Sequence, residues 1–593
     1  MRGGNEMMYL DRASNYDKEP TVRIAGHDTE SWAGYVPIVD EIKSKLSSLN
    51  QDKTIITVET YPGVRTAELI QAFGALAPVL MIDADTVTVN DDEVLAKIQD
   101  HLTDDRVFGV MSHFTIDDFI DQQAMENVRD RISETQAGLI LIYGVGASRI
   151  FESDLLIYAD LARWEIQMRY RNGELANWKA DNADEDVLRK YKRGFFFEWR
   201  MADRLKKELF EKLDYLLDTN EKDQPKMITG DALLAGLEAI VKQPFRVVPY
   251  FDPGVWGGQW MKEVCDLNPE ADNYAWSFDG VPEENSLYLQ YGDVRVEMPA
   301  LNVVFYRPIA LLGRNVYARF GAEFPIRFNF LDTMGGGNLS LQVHPTTDYA
   351  YDKFGMAYTQ EESYYILDAE DDSYVYLGLK DGVDKAEMMA DLRRAQMGEC
   401  SFPDEKYINK VPARKHDHFL IPPGTIHCSG VGSMILEVSA SKYIFTFKLW
   451  DWDRLGLDGK PRPVHIDHGE KVIDWSLTAD VVSKELVNAI EPLQASEGWR
   501  SEKTGLHESQ FIETHRHWFT GKTHHETNGS VNVLNLVQGE AAIVESPSQA
   551  FEPFIVHYAE TFIVPEQIGA YTISPHGASV GKEITIIQAR VRV

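Results

Sequence analysis

The stretch NLSLQVHPTTDYAYDKFGMAYTQEESYYIL, residues 338–367, decides how the second half of this chain folds. It predicts two β-strands separated by a polar segment. Gln342 and His344 are two residues apart, so on a strand both side chains point to the same face. Glu361 and Glu362 open the second strand, and because neighbouring strand residues face opposite ways, only one of them points inward. The stretch therefore predicts a sheet that carries an amide, an imidazole and a carboxylate on one inner face.

His427 adds a second imidazole to this set. It follows a Pro-Pro-Gly turn at 422–424, where another strand is expected to begin. Two neutral imidazoles, one carboxylate and one amide oxygen suit Zn²⁺, and Mn²⁺, Fe²⁺ or Co²⁺ accept the same ligands. A lone histidine on a strand is more often a hydrogen-bonded structural residue, and three further histidines fit that role: His418, His465 and His468. Spacing alone favours neither interpretation of His344 and His427.

Composition excludes several classes of partner. The chain has 593 residues and a formal net charge of -34, which repels nucleic acid and anionic membrane surfaces. The sequence contains no apolar run of 18 residues and no apolar leader at its N-terminus. Cys265, Cys400 and Cys428 form no CxxC pair and no disulfide framework. We therefore expect a cytoplasmic protein without nucleic-acid or membrane partners.

The region before residue 245 predicts an α/β unit. Four short apolar runs predict buried strands: 53–60, 78–85, 106–113 and 138–148. Helical patterns lie between them at 66–76 and 91–102, and this alternation indicates a mainly parallel sheet. From about 153 to 242, apolar residues at three- and four-residue spacing predict helices.

After residue 245 the pattern changes to short strands broken by Gly, Pro and Asp. Such strands favour an antiparallel sandwich or barrel, interrupted by one helical insert at about 382–397. A second hairpin-rich region begins near residue 505 and continues to the C-terminus. The sequence therefore predicts a multidomain chain with an α/β domain at 1–240 and two β domains at 245–500 and 505–593.

Five motifs of the β region resemble those of class I mannose-6-phosphate isomerases, and they occur in the same order. They are PYFDPGVWGG (249–258), NLSLQVHP (338–345), ESYYILDAEDDSYVYLGLKDGV (362–383), FLIPPGTIHCSGVGSMILEV (419–438) and WDWDRLGLDGKPRPVHID (450–467). ETFIVPEQIGAYTI (560–573) resembles the C-terminal module of the same family. The resemblance implies a double cupin (jelly-roll) fold with a metal-binding catalytic cupin at 245–500.

The resemblance also assigns residues. It implies that Gln342, His344, Glu362 and His427 hold one divalent metal, and the match of Tyr365 to the family motif favours Glu362 over Glu361. Family members interconvert mannose 6-phosphate and fructose 6-phosphate through an enediol. The implied cofactor is one divalent cation, Zn²⁺ first, and the implied partner is a small sugar phosphate.

The substrate positions depart from the family pattern. Gln360 stands where short bacterial members carry Lys, and Lys448 stands where they carry Arg. Both are the candidate catalytic positions, and an amide supplies neither charge nor a base. Four cations are candidates for phosphate contact: Lys448, Arg454, Lys460 and Arg462. A solvated surface charge is an equally supported interpretation of Arg454 and Lys460.

The segment 55–73 follows the strand–loop–helix order of a phosphate-binding loop. Only Thr66 matches the G-x-x-x-x-G-K-[ST] pattern outright, Arg65 stands at the Lys, and Glu59 would repel phosphate. In context, the first domain resembles the P-loop nucleoside kinase group that includes uridine kinase. We expect a degenerate kinase-like scaffold, and the alternative is a nucleotide site that uses Arg65, Thr66 and Asp83.

Three functional hypotheses follow. The first is a sugar-phosphate isomerase fused to a kinase-like domain. The second is a noncatalytic cupin sensor that binds a sugar phosphate, with the N-terminal domain as a regulatory element. The third is a bifunctional kinase–isomerase. The lost lysine at Gln360 favours the second hypothesis, the full ligand set favours the first, and a homo-oligomer is compatible with all three.

Overall fold

The computed structural model describes residues 9–440, 443, 445–459, 462–505, 507 and 510–593. These residues form two compact units. The N-terminal unit consists of Thr21–Ile240 and Ser286–Arg307, and the β unit consists of Met1–Pro20, Val241–Asn285 and Pro308–Val593. The division differs from the predicted boundary at 240, because the N-terminal unit also takes a hairpin and a helix from the segment 286–307.

The N-terminal unit, which is described throughout, is built on a seven-stranded sheet. Its strand order is Ser31–Ala33, Lys226–Thr229, Tyr215–Asp218, Leu155–Asp160, Lys53–Thr60, Gly138–Gly144 and Leu80–Asp83. The last five strands in this order are parallel, and Lys226–Thr229 pairs antiparallel with both of its neighbours, Tyr215–Asp218 and the edge strand Ser31–Ala33. The predicted parallel sheet is therefore present. The central strand Lys53–Thr60 leads through a short loop into the helix Thr66–Phe73.

Helices cover this sheet, and a small second sheet completes the unit. The helices are Tyr35–Leu49, Thr66–Phe73, Asp91–Leu102, Gln122–Glu134, Arg163–Arg171, Val187–Arg193, Trp199–Lys207, Gly230–Ile240 and Leu301–Tyr306. The small sheet pairs the strands Thr21–Arg23, Ser286–Tyr291 and Val294–Pro299. One core cluster shows how the layers pack, because Ile55, Ile140 and Ile142 of the sheet meet Met125 and Ile132 of a covering helix.

Two sequence predictions for this unit are wrong. Residues 106–113 form no strand, and Val110 N–H instead donates to the carbonyl of His101. The stretch 153–242 is not uniformly helical, because Leu155–Asp160, Tyr215–Asp218 and Lys226–Thr229 are strands. A strand covered on both faces is apolar at every position and so lacks the alternation that would separate it from a buried helix. All six residues of Leu155–Asp160 are buried, which is why its sequence resembled a helix.

The first half of the β unit is a sandwich of two antiparallel sheets in the described residues. The six-stranded sheet has the order His418–Ile421, Glu361–Ala369, Ser433–Ala440, Arg327–Asp332, Trp276–Gly280 and Tyr250–Asp252. The five-stranded sheet has the order Ile408–Pro412, Tyr374–Leu379, His427–Ser429, Leu341–Val343 and Phe447–Trp450. We call this body the first sandwich. Its architecture is consistent with the predicted cupin region.

Helices occupy the connections of the first sandwich and the segments that flank it. They are Trp260–Val264, Pro308–Leu312, Arg314–Phe320, Thr347–Phe354, Lys385–Gln396, Asp404–Tyr407, Ile466–Val472 and Ala479–Val481. The helix Lys385–Gln396 lies within the predicted insert 382–397. It begins at the cap Asp384, whose side chain accepts from Glu387 N–H, and it buries Met388, Met389 and Leu392.

The second sandwich forms the C-terminal half of the β unit. Among the described residues its larger sheet has the order Glu491–Ser496, Trp499–Lys503, Ile512–Phe519, Ile584–Val591, Asn532–Gln538 and Thr561–Val564. The smaller sheet has the order Thr523–Glu526, Ala570–Pro575, Ala541–Glu545 and Phe554–His557. Residues of both sheets share one buried core, for example Phe519 and Ile586 with Val544 and Ile573. Two of its strands begin before residue 505.

Arg246 joins three segments of the β unit at a buried point. Its Nη1 lies 2.8 Å from a carboxylate oxygen of Glu560 in the second sandwich, and its Nη2 lies 3.5 Å from Asp279 near the first. Nη1 also donates to the carbonyl of Asp17, and the guanidinium stacks over Tyr16. Arg246 therefore contacts both sandwiches and the segment 9–20.

Among the described residues, no helix has the length and apolar character that a membrane crossing requires.

Candidate metal centre and adjoining cavity

Three predicted ligands meet inside the first sandwich. Oε1 of Glu362 lies 2.7 Å from Nε2 of His427 and 3.2 Å from Nε2 of His344. One ligand atom from each residue lies within 4.8 Å of the other two, and all three side chains are buried. Glu362 comes from the six-stranded sheet, His427 comes from the five-stranded sheet, and His344 directly follows the strand Leu341–Val343 of that second sheet, so the cluster lies between the two facing sheets.

Both imidazoles are oriented by backbone carbonyls. Nδ1 of His344 lies 2.8 Å from the carbonyl oxygen of Phe445, and Nδ1 of His427 lies 2.8 Å from that of Thr425. A carbonyl accepts only, so each Nδ1 carries a proton, and in the neutral ring the lone pair is then at Nε2, the atom that faces the cluster. This tautomer is the one that a metal-binding histidine needs.

The turn before His427 explains its position. Thr425 N–H donates to the carbonyl of Pro422, which closes a turn with Pro423 and Gly424 in the middle. Gly424 has φ +86°, as the third position of a type II turn requires, and a Cβ there would lie 2.8 Å from the carbonyl oxygen of Val472. Glycine is therefore needed at this position, and the turn delivers His427 directly into its strand.

Glu362, not Glu361, faces the cluster. Gln360 donates from Nε2 to Oε2 of Glu362 at 3.1 Å, which leaves Oε1 directed at the two imidazoles. Glu361 is the next residue and faces the other way, towards the charges of Arg319 and Arg592, and burial raises the pKa of Glu361 to about 7. Gln360 therefore acts here as a support for Glu362, a role that the sequence did not indicate.

The fourth predicted ligand, Gln342, lies beside the cluster. It is the direct cross-strand partner of His427, and its Nε2 lies 3.2 Å from Nε2 of His427. Cross-strand partners share a face, so its amide is within reach of the same centre. Rotation about the last side-chain bond exchanges the amide nitrogen and oxygen, which would present the oxygen to a cation.

The electrostatics of the cluster fit a cation. Burial opposes the charge of Glu362, but His344 and His427 outweigh burial and hold the pKa of the carboxyl well below its usual range. For His344, burial lowers the pKa and the Glu362 carboxylate raises it, and the net shift is upward. Apart from the other atoms of the cluster, Nε2 of His344 and Oε1 of Glu362 have no hydrogen-bond partner among the described residues, and both are buried. Buried lone pairs in this state are what a divalent cation satisfies.

A cavity of about 140 Å³ adjoins the centre, and Gln342 and Gln360 line both. Its other polar lining residues include Asn329, Glu437, Lys448 and Arg462. Lys448 is the cross-strand partner of Gln342, so its side chain enters the sandwich next to the candidate ligands.

Glu437 is a functional candidate that the sequence did not reveal. It is 4% exposed and lies on the strand Ser433–Ala440, where it lines the cavity. Asn329 and Ser439 both donate to its Oε1 at 2.9 Å. Burial and then the charge of Glu362 raise the pKa of Glu437 to about 8. The one available signal was a lone acidic residue in the run SMILEVSA (433–440), whose other residues are apolar or serine.

The predicted phosphate contacts separate into three groups. Lys448 and Arg462 line the cavity. Arg454 does not, and its Nη2 lies 2.6 Å from Oδ1 of Asp451, whose other oxygen lies 2.9 Å from Nε of Arg462. Lys460 lies outside the described residues.

The other three candidate histidines lie outside the cluster, and the rings of His418 and His468 have hydroxyl groups as hydrogen-bond partners. Nε2 of His418 lies 2.9 Å from the Ser363 hydroxyl, and burial lowers the pKa of His418 to about 3. Nδ1 of His468 lies 2.7 Å from the Tyr349 hydroxyl. The N–H of His465 donates to the carbonyl of Lys448. None of the three belongs to the metal cluster found among the described residues.

The loop of the N-terminal unit that resembled a phosphate-binding loop is occupied by its own contacts. Val64 N–H donates to Tyr61 O, and Thr66 N–H donates to Val64 O. Arg65 is paired with Glu174 and lies 3.4 Å from Glu165.

Its flanking residues are also engaged. Glu59 accepts from the N–H groups of Gly146 and Ser148 at 2.6 and 2.8 Å, and burial raises its pKa to about 7. Asp83 caps a short helical turn by accepting from Asp85 N–H. Among the described residues, no hydrogen bond or ion pair joins Arg65, Thr66 and Asp83.

Comparison with known proteins gives different results for the two parts of the chain. A family model described as a domain of unknown function (DUF8485) matches residues 34–242. The mannose-6-phosphate isomerase ManA of Bacillus subtilis is 29% identical over 238 residues, which cover 39% of this chain and 68% of that protein. The mannose-6-phosphate isomerase of Streptococcus mutans is 24% identical over 323 residues, which cover 54% of this chain and 90% of that protein.

Solved structures include similar chains as well. The mannose 6-phosphate isomerase from Bacillus subtilis superposes with a TM-score of 0.47 and 17% sequence identity, covering 59% of this chain and 99% of that one. The sequence relatives support the prediction that this chain is an enzyme of the isomerase class.

Proposed function

We propose that this chain is a metal-dependent aldose–ketose isomerase that interconverts mannose 6-phosphate and fructose 6-phosphate, or a closely related sugar phosphate. The carrying observation is the buried cluster of His344, Glu362 and His427, which adjoins a cavity with one buried carboxyl group and two cations. The sequence relatives are mannose-6-phosphate isomerases, and they support this reaction class.

The reaction moves one proton between C1 and C2 of the open-chain sugar. In the conversion of aldose to ketose, a base removes the proton from C2, the C2–H electron pair forms the C1–C2 double bond, and the carbonyl oxygen at C1 takes up charge and then a proton. The resulting enediol collapses to the ketose when the proton is returned to C1 and the O2 hydroxyl loses its own. A carboxylate that faces the cavity and has a raised pKa suits both transfers.

Glu437 is the residue that we assign to this transfer. Asn329 and Ser439 occupy only its Oε1, so Oε2 is left to carry the proton. Gln360 cannot replace it, because an amide has no basic lone pair at neutral pH and its nitrogen already donates to Glu362. The lysine that the family carries at position 360 is therefore not needed as the base in this chain.

The metal would be held by His344, Glu362 and His427, with Gln342 as a fourth ligand. Nitrogen and oxygen ligands of this kind favour Zn²⁺, and Mn²⁺, Fe²⁺ or Co²⁺ also fit. When bound, a divalent cation polarises the sugar carbonyl and stabilises negative charge on its oxygen.

Lys448 and Arg462 are the cations that we assign to the phosphate group. Both line the cavity, and a phosphate between them would receive charge-assisted hydrogen bonds. Asp451 pairs with both Arg462 and Arg454, so Arg454 helps to position Asp451 and, through it, Arg462. Lys448 keeps the charge of the family's arginine but not its planar fork, which suggests a changed geometry of phosphate binding.

A noncatalytic sugar-phosphate sensor is the second candidate function. It is favoured by Gln360 and by the N-terminal unit, for which we propose a degenerate P-loop kinase-like scaffold with a regulatory role. The five parallel strands and the helix after the central strand support the kinase-like fold. Arg65 is paired with Glu174, and Glu59 accepts from Gly146 N–H. These contacts oppose a live nucleotide site and therefore also a bifunctional kinase–isomerase.

Two assays distinguish these candidates. The full-length protein, loaded with Zn²⁺ or Mn²⁺, is given mannose 6-phosphate, related aldose phosphates and unphosphorylated mannose, and the ketose is followed. Conversion supports the isomerase, whereas binding without conversion supports the sensor. Calorimetry with Mg²⁺-ATP then tests the N-terminal unit. Saturable binding that is lost in both Arg65→Ala and Thr66→Ala would restore the bifunctional kinase–isomerase.

Two further expectations stay predictions. Cys265, Cys400 and Cys428 carry free thiols, which supports a reducing compartment such as the cytoplasm. The second expectation is that the chain forms a homo-oligomer.

A further inference from the structure

The amide of Gln360 has a buried carbonyl oxygen without a hydrogen-bond partner among the described residues. Its Nε2 donates to Oε2 of Glu362 at 3.1 Å, so the amide nitrogen faces the carboxylate and the amide oxygen points away from it. The side chain is 6% exposed and lines the cavity.

Asn329 repeats this arrangement on another strand of the six-stranded sheet. Its Nδ2 donates to Oε1 of Glu437 at 2.9 Å, and its Oδ1 is buried without a partner in the described part of the chain. The residue is 4% exposed and lines the same cavity. Each of the two amides therefore donates from its nitrogen to a buried carboxyl group, and its carbonyl oxygen has no partner among the described residues.

The orientation of these amides is determined by electrostatics. Turning either amide around would place its oxygen against a carboxyl oxygen that accepts hydrogen bonds, which is repulsive, and would remove the hydrogen bond that its nitrogen donates. Each side chain can therefore offer only an acceptor to a ligand. A buried acceptor without a donor is unfavourable, so the cavity is suited to a ligand that brings donors.

We propose that the carbonyl oxygens of Gln360 and Asn329 accept hydrogen bonds from two hydroxyl groups of the substrate, and so select a polyhydroxylated sugar phosphate by its hydroxyl pattern. This inference rests on the proposed function and assigns its specificity. Gln360 thereby gains a role that a lysine at this position could not perform, because an ammonium group has no acceptor. The hydroxyl groups that these two residues bind are not the ones that take part in the proton transfer.

Binding and turnover are separated by a ligand that cannot react. An alditol 6-phosphate, the sugar alcohol of the proposed substrate, has no carbonyl group and cannot be isomerised. Calorimetry on the full-length, metal-loaded protein compares this alditol phosphate with its 3-, 4- and 5-deoxy analogues. We expect two of the deoxy analogues to bind about tenfold more weakly or worse, because each leaves one buried carbonyl without a donor.

Two variants assign the positions. In Gln360→Met, one of the two penalties should disappear while the other remains, and Asn329→Leu should show the reverse. Ser439→Ala is the matched control, because it also removes a hydrogen bond to Glu437 but leaves both carbonyl acceptors in place, so both penalties should persist. Metal content is measured in every variant, since Gln360 supports Glu362.

The outcomes separate the inference from the function. Equal binding of all deoxy analogues by the unaltered protein, no binding of the parent alditol phosphate, or unchanged penalties in both variants would overturn the inference. The expected pattern without turnover of any sugar phosphate leaves the inference standing and refutes the isomerase. Turnover of a sugar phosphate without the expected binding pattern refutes the inference and leaves the isomerase standing.

Discussion

Oε1 of Glu362 lies 2.7 Å from Nε2 of His427, although 65 residues separate them along the chain. The two residues come from facing sheets, and each is held in place from behind: Glu362 by the Gln360 amide and His427 by the carbonyl of Thr425. This contact brings together two of the four candidate ligands of the metal centre.

Removing His427 should therefore remove the metal. We expect His427→Ala to lower metal occupancy from about one ion per chain to near zero, because three or four ligands at one buried point are needed for tight binding. Elemental analysis after dialysis against a weak chelator measures it. His416→Gln is the matched control, since His416 hydrogen-bonds Tyr365 and Gln538 outside the cluster and should not affect occupancy. Full occupancy in His427→Ala would contradict the assignment.

Glu437 should control the pH dependence of turnover. The transfer needs its deprotonated form, and because its pKa is raised to about 8, kcat/KM should fall as pH drops below that value. A cation beside Glu362 offsets part of the charge that raises this pKa, so the midpoint of the loaded protein should lie below about 8.

Glu437→Gln should lose about 10²- to 10⁴-fold in kcat while it keeps its metal. The control is Glu361→Gln, which changes a carboxyl group whose pKa is also raised, to about 7, but which faces away from the cluster. Loss of the acidic limb in Glu361→Gln, and not in Glu437→Gln, would reverse the assignment.

Arg246 should be essential to the stability of the β unit. Its side chain is 2% exposed and its partners Glu560 and Asp279 are each 1% exposed, so Arg246→Met would leave two buried acidic groups without their cation. Breaking such a buried pair costs about 3–5 kcal/mol. Thermal unfolding with hydrogen exchange should show this loss in the β unit. Arg500→Met, which removes an exposed partner 4.0 Å from Glu502, should cost less than about 1 kcal/mol.

His517 should make the second sandwich sensitive to acid. Its ring lies between the Ser501 hydroxyl and Gln588, and burial lowers its pKa to about 4. The unfolded chain takes up a proton near pH 6.5 and the folded chain only near pH 4, so stability is present above pH 6.5 and is lost between these values. The slope for one such proton is about 1.4 kcal/mol per pH unit.

The variant His517→Gln should flatten this slope. Melting temperatures at pH 6.5 and 4.5, compared between the variant and the unaltered protein, isolate the contribution of His517 from that of all other groups. Equal acid shifts in both proteins would show that His517 is not the responsible group.

Strand geometry predicted only part of the candidate ligand set, and the family resemblance supplied the rest. Gln342 and His344 were placed on one face by the two-residue period, and the structure shows both beside Glu362 and His427. The same period left Glu361 and Glu362 undecided; the match of Tyr365 to the family motif favoured Glu362, and the register of the strand Glu361–Ala369 places Glu362 at the cluster. Local geometry can therefore identify candidate ligands, but register depends on the partner strand.

The residues that the sequence missed depend on long-range packing. Glu437 and Asn329 become a pair only because their strands are neighbours in the six-stranded sheet, more than 100 residues apart in the chain. The strand Leu155–Asp160 was mistaken for helix because both of its faces are covered. In each case the decisive information is the identity of the neighbouring element, and no local pattern encodes it.

The most direct test of the central claim is the conversion of mannose 6-phosphate followed by NMR in D₂O. The full-length protein loaded with Zn²⁺ or Mn²⁺ should form fructose 6-phosphate and introduce deuterium at C1, because the proton passes through an exchangeable group. Both signals should vanish in His427→Ala and persist in His416→Gln. A protein that holds one metal ion per chain yet leaves mannose 6-phosphate unconverted and undeuterated would contradict the account.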